Sequence, residues 1–190
     1  NAAHEQLQLD VFGEVMDALH QARQGVLASD ESGWALQCAL LKHLDEVWRE
    51  PDCGMWEVRS DPRHFTYSKV MAWVAFDRGL RSAAAFGLDG PLDRWRATRD
   101  AIHADVCEHG YDAAQGCFVQ SYGSRELDAS LLLLPQVGFL PAGDPRVAAT
   151  VRAVEERLLH DGLVLRYDSR TTTDGLPPGE GAFLACTFWL

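Results

Sequence analysis

No run of this 190-residue chain stays apolar for the ~18 residues that a membrane-spanning helix needs, so no membrane partner is expected. Basic charge is scarce: Lys+Arg number 17 against 28 Asp+Glu, a formal net charge of −11. That balance excludes a phosphate-tracking footprint and hence nucleic acid as a partner; on its own it implies mainly solubility. Lysine occurs only as Lys42 and Lys69, against 15 arginines, while Asn1 is the only asparagine and Ile102 the only isoleucine. This bias is compositional and points to a GC-rich bacterial genome. With no Ser or Thr two residues after Asn1, an N-glycosylation acceptor is missing. The five cysteines, Cys38, Cys53, Cys107, Cys117 and Cys186, are odd in number, scattered and without a C-x-x-C, which argues against a disulfide framework. They are expected as reduced thiols packed like small apolar groups, in a cytoplasmic protein. The opening NAAHEQLQLD has neither the basic nor the apolar region of a signal peptide, which fits the same placement. Absence of G-x-S-x-G leaves a serine hydrolase unsupported, and GEG at 179–181 lacks the third glycine and the preceding strand of a dinucleotide loop.

What is present is helical periodicity. Leu9, Phe12, Val15, Met16 and Leu19 recur at spacings of three and four and predict a helix over 5–23. Trp34, Cys38, Leu41 and Trp48 predict another over 31–48. Val70, Trp73, Val74, Phe76 and Leu80 mark 66–86, with Gly87 as its C-cap. A fourth covers 92–109 after Pro91, closing on a late-turn His109 and a stopping Gly110. A short helix over 126–134 ends at Pro135, and Asp144-Pro145 starts one running to about His160. A last apolar run begins near 181. Only 117–122 and 163–167 read as extended. The fold class is therefore all-α, with about seven helices and no repeat of fixed sequence.

The connections alternate in length. Those at 24–30 and 87–91 are short and 136–143 is intermediate, whereas 49–64, 110–125 and 161–180 are long. Hairpin-connected helices run antiparallel, so the three long loops should share one end of the molecule. Long loops in a compact domain are usually functional. Glu57 lies in the first and Glu180 in the third. Two carboxylates across a cleft suit glycoside hydrolysis, one protonating the leaving oxygen and the other activating water or attacking. An acid near neutral pH needs a raised pKa, which Trp56 and Met55 would supply by desolvation; Arg59, Arg63 and Lys69 would oppose it if they pointed there. A loop Glu is also commonly a solvated charge or a helix cap.

The segment PDCGMWEVRSDPRHFTYSKVMAW (51–73) resembles the general-acid region of glycoside hydrolase family 15, the glucoamylase-like enzymes that include some trehalases. The likeness continues in QLQLDVFGEV (6–15), FVQSYGSRELDASLLLLPQVGFLPAGDPRV (118–147) and DGLPPGEGAFLACTFWL (174–190). It implies an α/α barrel, a toroid of helical hairpins with six inner and six outer helices, of which residues 1–190 form a single partial domain truncated at both ends. It implies Glu57 as general acid beside Trp56. Arg166 and Tyr167 match an Arg-Tyr pair that binds sugar, Glu180 matches the rim of the sugar pocket, and Gln8 and Asp10 match a polar pair lining it. The last pair is equally an ordinary helix polar face. The general base is expected beyond Leu190, after one further hairpin. The implied reaction is inverting hydrolysis of an α-glucosidic bond, with an α-glucoside or α-glucan as partner and no metal or organic cofactor. Ser60 stands where the resemblance leads one to expect glycine, a minor departure. The alternative is a helical scaffold or carbohydrate-binding domain without catalysis, since fold does not fix function.

Three further groups carry competing readings. His64 either orients the acid loop or caps it. Asp128 is a pocket residue or an N-cap, capping being favoured. His103, Cys107 and His109 share a helix, but a metal site needs more ligands, and Cys107 reads as a core residue.

Overall fold

The computed structural model of the chain describes residues 6–25, 31–170 and 181–190. Six α-helices occur among them: α1 (Asp10–Gly25), α2 (Glu31–Val47), α3 (Thr66–Phe86), α4 (Leu92–His109), α5 (Pro145–Leu158) and α6 (Leu184–Trp189). A 3-10 helix spans Ala129–Leu133. Two antiparallel ribbons complete the fold: β1 (Tyr111–Asp112) with β2 (Cys117–Phe118), and β3 (Leu159–His160) with β4 (Leu163–Val164). None of the described helices is long and apolar enough to cross a membrane.

The elements stand in two rows. In the first, α1 packs on α3, α3 on the 3-10 helix, and the 3-10 helix on α6. In the second, α2 lies against α1 and α3, α4 against α3, and α5 against the 3-10 helix. This is part of an α/α barrel, with inner and outer helices alternating along the chain. The central member is α3, which is buried on nearly all sides. Val70, Val74 and Phe76 on it are fully buried, each contributing about 1.5–3 kcal/mol. The close approach of α1 depends on a glycine: a Cβ at Gly13 would lie 2.3 Å from the Met71 carbonyl oxygen.

Being buried all round, α3 also carries polar groups that must be satisfied. Lys69, 1% exposed, donates through Nζ to the carbonyls of Trp48 at 2.5 Å and Glu50 at 2.6 Å. It thereby supplies positive charge at the C-terminus of α2, where carbonyls are left over. Burial pulls its pKa down to about 8. Arg78 donates to Asp17, Asp77 and the Val137 carbonyl, and His20 Nδ1 lies 2.8 Å from Ser82 Oγ.

Several boundaries move from the sequence reading. The first helix begins at Asp10, because residues 6–9 pair with the acid loop instead: Leu9 N–H donates to the Asp52 carboxylate, and Leu7 accepts from Cys53 N–H. The 126–134 helix is a short 3-10 turn, capped at Asp128, whose carboxylate accepts from Ser130 N–H. The Asp144 N-cap and its following Pro are present, but α5 stops at Leu158 because Leu159 enters β3. Partners for the two extended stretches, at 111–112 and 159–160, carry no apolar alternation long enough to read.

Candidate active site

The long connections meet at one end of the inner row. Thr66, at the start of α3, donates its N–H to Gln120 O at 2.9 Å, and Tyr122 N–H to His64 O at 3.0 Å. Ala129, at the start of the 3-10 helix, donates to Arg166 O at 2.8 Å. The segment before α1 joins them, with Gln6 Nε2 donating to Val58 O at 3.1 Å. N-terminal ends of inner helices, rich in unpaired N–H groups, therefore surround the acid loop.

Within that loop, Asp52 and Arg63 exchange backbone bonds at 2.9 Å and fix its base. Residues 53–58 form one turn that closes like a helix C-terminus. Val58 N–H reaches back to Cys53 O and Glu57 N–H to Gly54 O, both at 3.1 Å. These are the six-to-one and five-to-two bonds of a Schellman motif, which places its penultimate residue in the left-handed region. That residue is Glu57, at φ 51°. Glycine is the usual occupant there, and a side chain costs about 1–2 kcal/mol. The Glu57 side chain is exposed, so Trp56 and Met55 do not wall it off from water as the sequence leads one to expect.

Trp56 precedes it, half-buried. Its indole Nε1 donates to both carboxylate oxygens of Asp128 at 3.0 Å. Its ring centroid lies 5.8 Å from Phe183 and 6.2 Å from Trp189. The Arg166 guanidinium carbon sits 5.2 Å from the Trp56 ring and 5.4 Å from that of Tyr167. Both distances lie within cation–π range. Trp56, Glu57, Arg166 and Tyr167 are thus brought together. Gln8 is half-buried in the segment before α1. Asp10 is buried at the first turn of α1, and burial, with the nearby Asp52 charge second, pushes its pKa up to about 6. Glu180 lies outside the described residues.

The cations of the acid segment have other engagements. Lys69 is committed to the end of α2, and Arg63 donates to Ser60 Oγ at 3.2 Å. His64 stacks on Tyr122 with ring centroids 5.8 Å apart, and the Tyr122 hydroxyl donates to Asp105. Cys107 Sγ lies 3.9 Å from His103 Nδ1, and no group of three metal-ligating side chains stands together among the described residues. All five cysteines are free.

One residue of the site escapes sequence reasoning and another is half read. Asp52 is fully buried, and burial raises its pKa; its only signal is a place five residues before Glu57. Asp128 is the expected cap, but it also holds Trp56, a partner 72 residues away. A cleft of about 410 Å³ opens beside Met55 and runs along the inner row past Tyr67 and Trp189 to Arg78. Its wall mixes apolar side chains, among them Met71 and Leu133, with paired polar ones: the Tyr67 hydroxyl donates to Glu14 at 3.1 Å, and Arg78 pairs with Asp17 at 2.5 Å.

The family model for glycosyl hydrolases family 15 matches residues 1–190. A trehalase of Mycobacterium tuberculosis is 46% identical over 190 residues, covering 100% of this chain and 28% of the relative. A trehalase of Thermoplasma acidophilum is 38% identical over 189 residues, covering 100% of this chain and 32% of its own length. The chain thus spans about a third or less of the relatives it matches. Among solved structures, a glycosidase in complex with glucose superposes with a TM-score of 0.74 at 22% identity, over 86% of this chain and 43% of the other. That likeness is one of fold.

Proposed function

Since this chain belongs to glycoside hydrolase family 15, we propose that it forms the acid-bearing part of an inverting α-glucosidase, with trehalose as the first substrate to try. The relatives' printed activity supports that choice. The observation that carries the reading is the Trp56–Glu57 turn. A carboxylate occupies a left-handed position that glycine would hold without strain, at the end of the barrel where the inner helices begin. Strain of this kind concentrates at functional sites.

In this mechanism Glu57 protonates the glycosidic oxygen as the bond to the anomeric carbon breaks. A second carboxylate, from outside this 190-residue chain, removes a proton from the water that attacks the opposite face. Arg166, pinned between Trp56 and Tyr167, donates to sugar hydroxyls. Gln8 and Asp10 complete the polar lining. The chemistry requires no metal or organic cofactor. Five free cysteines fit a cytoplasmic setting.

Proton NMR of the full-length protein acting on trehalose and maltose tests this. β-Glucose is expected before mutarotation, from one or both sugars. α-Glucose first would overturn inversion. No glucose from either would favour a carbohydrate-binding role instead.

A further inference from the structure

Building on the glycosidase reading, we infer that Asp128 is the positioning residue of the general acid, fixing through Trp56 where Glu57 delivers its proton. Asp128 is 3% exposed. Its carboxylate accepts from Ser130 N–H at 2.9 Å, Ser130 Oγ at 2.7 Å, Gln120 Nε2 at 3.1 Å and Trp56 Nε1 at 3.0 Å. Capping the 3-10 helix uses only the Ser130 bonds, and a neutral Asn or Ser caps as well. What a carboxylate adds is a second oxygen that only accepts: Oδ2 takes the Gln120 amide and shares with Oδ1 the indole N–H of Trp56, 72 residues away. A buried anion is desolvated at a cost, and burial raises the Asp128 pKa. Its presence therefore serves position more than stability.

The position it sets is that of Glu57. Among the described residues no hydrogen bond or ion pair holds the Glu57 carboxylate, so its direction follows from the backbone turn and from its neighbour. Trp56 is that neighbour, locked by Asp128 at its nitrogen and by Phe183, Trp189 and Arg166 around its ring. Proton delivery is sensitive to such placement: an error of about 1 Å costs roughly 100-fold.

The test separates positioning from folding by the leaving group. A disaccharide releases a poorly leaving sugar oxygen that must be protonated, whereas α-glucosyl fluoride releases weakly basic fluoride and depends little on the acid. The variant is Asp128→Ser, which should fold because a serine hydroxyl still caps at Ser130 N–H but is too short to reach the Trp56 indole, whereas Asp128→Asn would keep Oδ1 as an acceptor for it. In the full-length protein, kcat on the disaccharide is expected to fall about 30- to 100-fold while kcat on the fluoride stays within about 3-fold. Trp56→Phe, which removes the indole N–H with part of the ring and leaves the cap, should show the same selective loss, and the double variant little more than either alone. Equal losses on both substrates, or none on the disaccharide, would overturn the inference while leaving the glycosidase reading intact. A wild type inert to the fluoride and both disaccharides would overturn the reading itself, and this inference with it.

Discussion

At the end of α3 the chain turns through Gly87, at φ 64°. In the acid loop it turns through Glu57, at φ 51°. The outer hydrogen bonds correspond, Leu88 N–H returning to Ala83 O as Val58 N–H returns to Cys53 O, each at 3.1 Å, while Gly87 N–H also returns to Ala83 O. At the first turn the residue suits the backbone, and nothing but a helix end is made. At the second the backbone is held against the residue's preference by Asp52, Arg63 and the bonds to residues 6–9. The wider surroundings differ likewise. Around α3, buried charges are satisfied: Arg78 pairs with Asp17 and Asp77, and Lys69 donates to two carbonyls. Around the acid loop, buried Asp10 and Asp52 each keep an oxygen without a hydrogen-bond partner. Local stability is given up at one end of the barrel and preserved in its wall, as expected where a scaffold carries a reactive group.

Perturbing the wall should therefore reduce stability. Gly13→Ala forces a methyl against the Met71 carbonyl, and a loss of about 3 kcal/mol is expected, read as a lower urea midpoint; an unchanged midpoint would mean that α1 and α3 are not so tightly apposed. Perturbing the site end should do the reverse. The Asp10 pKa is raised from 3.8 to about 6, so the folded form holds its proton more tightly than the unfolded one. Its stabilising contribution is complete below the ordinary carboxylate range and is lost as pH rises through about 6. Asp10→Asn should accordingly be more stable than wild type at pH 7, by about 2–3 kcal/mol, with the gap closing toward pH 4. A gap independent of pH would show that Asp10 is not the titrating group. The smallest effects bear on the two turns directly. Gly87→Ala should lose about 1 kcal/mol and Glu57→Gly gain about as much, opposite signs that calorimetry would resolve. Matching signs would remove the contrast.

Much of the helical wall is legible in the sequence, because apolar periodicity survives where packing is local. The 66–86 and 92–109 spans coincide with α3 and α4, and Gly87 ends α3 as its chemistry dictates. The start of α1 does not read correctly, since the loss of helix over 6–9 is caused by Asp52, more than 40 residues on. The site is partly legible. A Trp-Glu pair in a long loop draws notice through resemblance, and so does Arg166-Tyr167. The direction of Lys69 is not legible: the sequence leaves open whether it points at Glu57, and its Nζ lies on the carbonyls of Trp48 and Glu50. The Trp56–Asp128 bond has no local signature at all, being made by two loops that meet only in the folded barrel.

Turnover by the full-length protein carrying Glu57→Gln, beside wild type and on the disaccharide that wild type cleaves, bears most directly on the role given to the acid loop. A fall in kcat of about 100- to 10,000-fold is expected with substrate still bound, since glutamine keeps the shape but carries no transferable proton. Activity within a few-fold of wild type would mean that Glu57 is not the acid.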